Sequence, residues 1–162
     1  VFAKELNMIV TELRGNVRDL DASTKVADRV VFDNESRVKR IQRVTTEGGT
    51  ELGLKLDKSV RELEDGDILA ETDQGVIVAS MAPLDVLVIQ PASIEEALKV
   101  AHSLGNRHLQ AQFFGTDSEF KAEVMVVRYD HTVEHHLNHV GVNYHRGDYV
   151  MPRAFRHAEH TH

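Results

Sequence analysis

The apolar pattern of this chain changes rhythm once, and that change limits the folds open to it. Before residue 80 the apolar residues come in short alternating runs separated by turn signals, the pattern of half-buried strands. Beyond Pro83, strand-like runs alternate with stretches of helical period. In the first half, Met8–Val17 is a short β-type run, and Lys25–Phe32 ends in Arg29-Val30-Val31-Phe32. Val38–Leu56 reads as a hairpin around Glu47-Gly48-Gly49-Thr50, where glycines supply positive φ, with Val44, Leu52, Leu54 and Leu56 alternating beside the turn. Leu63-Glu64-Asp65-Gly66-Asp67 is a second turn. It leads to a hairpin of Ile68–Glu71 and Val76–Ala79 around Asp73-Gln74-Gly75. These runs predict a small β-barrel or sandwich. Met81-Ala82-Pro83-Leu84 reads as a linker, because proline breaks a strand and stiffens the joint.

In the second half Val86–Ile89 is a buried-type strand. Ser93 is a helix cap, with Glu96 completing a capping box, and Ile94, Ala97, Leu98, Ala101 and Leu104 form an apolar stripe. Gly105 is expected to end that helix in the left-handed conformation. Gln110–Phe114 and Phe120–Arg128 read as strands around Gly115–Ser118. Asp130 or Thr132 opens a second helix facing the core with Val133, Leu137 and Val140; Gly141 ends it, and Val142–Tyr144 is a short final strand. The order β-α-β-β-α-β is ferredoxin-like. The expected class is therefore α+β. A β-rich domain spans 1–82, a ferredoxin-like domain 83–146, and a flexible, histidine-containing tail 147–162.

Composition narrows the function. An apolar share of 41% in 162 residues is slightly low for one well-filled core, which fits two small domains or a buried oligomer interface. A net charge of −7 argues against a nucleic-acid partner, and no run of eighteen apolar residues offers a membrane span. The segment Val1–Val10 has no signal-peptide core, so a cytoplasmic location is expected. Met8 is a candidate start, with Val1–Asn7 an upstream extension. Cysteine is absent, which excludes disulfides, thiolate metal sites and cysteine nucleophiles. Any metal must be held by nitrogen and oxygen.

All 10 histidines lie between His102 and His162. His108 follows the first helix by a few residues, where a side chain can project from a firmly held backbone. It reads either as a metal ligand shared with its copy across a two-fold axis or as a histidine hydrogen-bonded to nearby backbone. The tail ends His157-Ala158-Glu159-His160-Thr161-His162, a His-x-His pattern able to close on one nickel, copper or zinc ion; its alternative is a polar terminus. His131, His135 and His139, spaced i, i+4, i+8, form a stripe opposite the helix core face. They read as an auxiliary site or as a solvated surface. His136 lies near the apolar edge and reads as structural. His102 sits in the last turn of the first helix, where a cation complements the dipole or turns toward His108. No nucleophile elbow, phosphate loop, dinucleotide fingerprint or His-Glu-x-x-His motif is present, so no catalytic residue is assigned and an enzyme is not expected.

Several segments together resemble the urease accessory nickel metallochaperones (the E-type accessory proteins). They are Thr46–Gly53, Leu63–Leu69, Leu84–Pro91, His102–His108 and Val127–Glu134. The resemblance covers nearly the whole chain from Met8. It implies an N-terminal domain for partner contacts and a ferredoxin-like domain that dimerises. It implies that His108 is an interfacial Ni2+ ligand, that the tail histidines complete the coordination, and that nickel passes to the urease apoprotein complex with an accessory GTPase. His102 matches a position that is histidine in some members. Where some members carry His-Asp-His, this chain has Tyr129-Asp130-His131, so the first ligand is missing. The segment between His108 and Asp130 is longer than usual and is expected to lengthen a hairpin. The rivals are a general zinc or copper buffer or sensor, which needs no urease partner, and an interaction module whose histidines are incidental.

Overall fold

The computed structural model describes residues 8–156. They fall into two compact units. One comprises residues 8–82 together with Val150–Ala154; the other comprises Pro83–Tyr149 and residues 155–156.

The first unit is built on strands β1 (Ile9–Val10), β2 (Val26–Phe32), β3 (Ile41–Thr45), β4 (Glu51–Lys55), β5 (Ile68–Thr72) and β6 (Gly75–Met81). They form two three-stranded sheets, ordered β1-β4-β3 and β2-β6-β5. The pairs β1–β4 and β2–β6 are parallel, and both hairpins are antiparallel. One core joins the sheets: Val10, Leu52 and Leu54 from the first, and Val30, Phe32, Leu69, Ile77, Ala79 and Met81 from the second. Leu52 and Leu54 are buried while their neighbours are more open, the period-2 burial that the alternation predicts. Gly75 closes the second hairpin at φ +134, and a Cβ there would lie 2.2 Å from the Lys25 carbonyl oxygen, so only glycine fits.

Two polar clusters brace this unit. Asp67 is fully buried. Its carboxylate accepts two bonds of 2.8 Å from the Arg61 guanidinium, one of 2.7 Å from the Glu64 N–H and one of 3.1 Å from the Asn16 amide. Burial pushes its pKa up, but these donors outweigh that and hold it below the usual carboxylate range. Arg37, also buried, donates to the carbonyls of Leu63 (2.8 Å), Met151 (2.8 Å) and Pro152 (3.1 Å), and Glu62 accepts from the Ala154 N–H at 2.9 Å.

The second unit contains β7 (Leu84–Ile89), α1 (Ile94–Asn106), β8 (Ala111–Phe114), β9 (Val124–Arg128), α2 (His131–Val140) and β10 (Tyr144–Tyr149). Its antiparallel sheet is ordered β10-β7-β9-β8, the ferredoxin-like arrangement expected. Val100 and Leu104 of α1 and Val133 and Leu137 of α2 pack with Leu87, Ile89 and Val127 of the sheet. Ser93 caps α1 by accepting from the Glu96 N–H (3.1 Å), and the Glu96 carboxylate reaches back to the Ala92 N–H (3.0 Å). Asp130 caps α2, and Gly141, at φ +80, ends it.

Five expectations are corrected. Gly105 lies inside α1, and the left-handed residue is His108, three positions later. The strand expected from Phe120 starts at Val124. The extra residues do not lengthen the hairpin: they fold into a loop with Lys121 at φ +54, and the Phe120 ring packs tilted against Phe114 and edge-on against Tyr149, centroids 5.2 and 4.9 Å away. The last strand begins at Tyr144 and runs to Tyr149 in register with β7, so His145 lies within it. Residues 147–154 are therefore not a free tail: three belong to β10, and Met151 and Ala154 are buried in the first unit. Polar side chains hid this edge strand, because its ladder is made by backbone.

Candidate metal centre

His108 is placed by the way α1 ends. Gly105 and Asn106 are poor helix formers, and the last turn tightens, with Arg107 N–H donating to Leu104 O (3.1 Å) and His108 N–H to Gly105 O (2.9 Å). His108 then takes φ +56, reversing the chain toward β8. A non-glycine residue there is uncommon, though histidine is enriched among those that adopt it. The backbone is thus fixed on both sides while the imidazole is exposed to solvent.

The approach to His108 is apolar. Of the apolar stripe read from the sequence, Leu104 is buried, but Ile94 and Leu98 are 81% and 67% exposed, and Val100, outside that stripe, is buried with Leu104. Ile94, Leu98, Ala101 and Gly105 lie along one open face of α1 that ends at His108. Beside it Phe113 is 70% exposed and borders a cavity of about 350 Å³ lined by Ala97, Val100, Ala101, Phe114 and Met125. One apolar surface therefore adjoins the candidate ligand.

The other histidines separate into roles. His102 is exposed and its Nε2 lies 3.4 Å from the Asn106 amide nitrogen, so it is engaged one turn along α1 rather than toward His108. His131, His135 and His139 are exposed on α2. His136 is half-buried with Nε2 at 2.9 Å from Ser103 Oγ, a contact tying α2 to the last turns of α1. Burial pushes its pKa below the ordinary value, and Arg107 and His139 push it further down. His145 Nε2 lies 2.8 Å from the Tyr149 hydroxyl. At Tyr129-Asp130-His131 the Tyr129 ring lies 3.5 Å beneath the Arg146 guanidinium, which is itself paired with Asp85. One oxygen of Asp130 caps the helix, accepting from Thr132 N–H (2.8 Å) and Val133 N–H (3.4 Å). Among the described residues no three His, Asp or Glu side chains converge on one point. His157, His160 and His162 lie outside the described residues.

A single exposed imidazole on a fixed turn, without cysteine anywhere, fits a metal held partly by ligands from elsewhere. Residues 10–82 match the N-terminal domain of the UreE urease accessory protein and residues 84–162 its C-terminal domain. The chain belongs to the UreE family. It is 55% identical over 158 residues to the urease accessory protein UreE of Corynebacterium urealyticum, 53% over 161 residues to that of an Arthrobacter species, and 46% over 163 residues to that of Actinomyces naeslundii. Each comparison covers 96% of this chain and 100% of the relative. The resemblance read from the sequence is borne out: this UreE family member is an accessory protein rather than an enzyme. Sequence reasoning named His108 but missed its left-handed backbone, the open face of α1 and the Arg37 cluster. The Gly105-Asn106 pair was the available signal for the first.

Proposed function

We propose that this protein is a cytoplasmic nickel metallochaperone that works as a homodimer. His108 of each subunit supplies one imidazole to a shared Ni2+ ion, and His157, His160 and His162 supply further ligands. The observation that carries the reading is the position of His108: an exposed imidazole on a held backbone turn, at the end of an apolar helix face. One histidine holds a transition metal weakly, and a two-fold axis doubles it without new sequence. The apolar face of α1, unfavourable in water, supports a second copy as its cover. Small residues at Ala101 and Gly105 permit close approach near the ligand.

The cargo is nickel and its destination is the urease apoprotein complex together with the accessory GTPase, as membership of a urease accessory family suggests. Delivery needs a site that holds the ion and then opens. Paired His108 side chains offer the fixed part. Ligands on a separate segment offer the exchangeable part, because they dissociate one at a time. Imidazole sites generally favour copper over nickel, so selectivity rests on partners and metal supply. The test is transfer. Nickel-loaded protein mixed with the apo-urease assembly and the GTPase should raise urease activity, and His108→Ala should lower that activation. Equal activation by wild type and variant contradicts the reading.

No helix among the described residues is long and apolar enough to cross a membrane.

A further inference from the structure

We propose that His135 and His139 form a second, exchangeable metal site on the open face of α2, taking one divalent ion of the nickel, copper or zinc type. Both side chains are exposed, and four residues apart on a helix they stand one above the other, about 5–6 Å between Cβ atoms. At that separation two imidazole nitrogens can reach one ion at about 2.0–2.1 Å.

The surroundings select this pair from the four histidines of the helix. His136 is committed through its Nε2 to Ser103 and is half-buried. His131 is the first residue after the Asp130 cap, where the positive end of the helix dipole opposes a cation. His139 lies in the last turn, just before the Gly141 stop, where the exposed carbonyl end favours positive charge. The helix His131–Val140 itself contains no lysine or arginine, and its one formal charge is Glu134; Arg107, after α1, acts on His136 rather than on the exposed pair. An exposed helix face usually carries lysine and glutamate, which favour helix formation; here it carries imidazoles, which do not.

Among the described residues no third ligand joins the pair, so water fills the remaining coordination positions and exchange is fast. The helix lies beside the last turns of α1 through the Ser103–His136 contact, and His108 follows the end of α1. A labile ion on α2 is therefore held close to the element that presents the proposed tight site. Its use in delivery rests on the carrier reading; its existence does not.

The test uses the full chain with His108→Ala, His157→Asn, His160→Asn and His162→Asn, which leaves α2 as the candidate site. Substoichiometric Ni2+ is added while the imidazole Cε1–H resonances are followed by NMR. Ni2+ should broaden His135 and His139 first. Adding His135→Asn should weaken the residual binding by at least about tenfold, the low end of what even outer-shell losses cost a metal site. The helix signal in circular dichroism should not change. Broadening spread evenly over all remaining histidines, or residual binding untouched by His135→Asn, overturns the proposal. The two readings fail separately: loss of the α2 site leaves the His108 titration of the otherwise unmodified chain intact, and a tight site that survives His108→Ala alone leaves α2 binding intact.

Discussion

His108 holds a backbone conformation that glycine would hold at lower cost. A left-handed non-glycine residue costs on the order of 1 kcal/mol. His108→Gly is therefore expected to raise the unfolding free energy by up to about 1 kcal/mol while removing the proposed tight nickel site. Urea unfolding and nickel titration on the one variant check both halves. His136 makes a second prediction. Burial, with Arg107 and His139, holds its folded pKa below the ordinary 6.5. A histidine shifted down contributes stability above its unfolded pKa and loses it as pH falls through the folded value. Metal-free wild type should thus lose more stability between about pH 7 and pH 5 than His136→Gln, read as the shift in urea midpoint. Asp67 works in the acid range in the same direction, because its pKa is also lowered. Asp67→Asn removes its charge from the Arg61 pair and should cost about 2 kcal/mol at neutral pH, as charged hydrogen bonds typically do. That difference should shrink as wild type is acidified below about pH 4.

At the scale of elements, the segment after β10 is held by Arg37. Arg37→Ala strips the carbonyls of Leu63, Met151 and Pro152 of their buried donor and should destabilise the first unit by about 3 kcal/mol. Limited proteolysis should then cut first within 150–154; an unchanged cleavage pattern would count against the anchoring role. None of this is visible in the sequence, because Arg37 meets its acceptors 26 to 115 residues away and carbonyls leave no side-chain pattern. The core strands were legible for the opposite reason. Leu52 and Leu54, or Val30 and Phe32, alternate because one face is wet and one dry. The two helices were legible at their caps, Ser93 and Asp130, and at the Gly141 stop. Periodicity found the apolar stripe of α1 but cannot tell a face turned to a core from one left open: Leu104 is buried, while Ile94 and Leu98 are exposed. Among the candidate ligands, His108 was legible as a position; the turn that fixes it was not.

For the whole molecule, the open face of α1 bears on the choice that an apolar share of 41% left between two small domains and an oligomer interface. Each unit buries its own core, and apolar surface remains on the second unit next to His108. In the proposed homodimer, a second copy seated there would cover that surface and bring a second imidazole to the ion in one step. Replacing Leu98 by Glu should weaken pairing and tight nickel binding together while leaving the fold of the isolated subunit intact, as sedimentation and circular dichroism would report. The most direct measurement is nickel calorimetry on the intact protein and on His108→Ala, with mass determined in solution for both. The account predicts a dimer in each case, a tight nickel site shared by the pair in the first, and loss of that site in the second. A monomer at working concentration, or tight binding unaffected by His108→Ala, contradicts it.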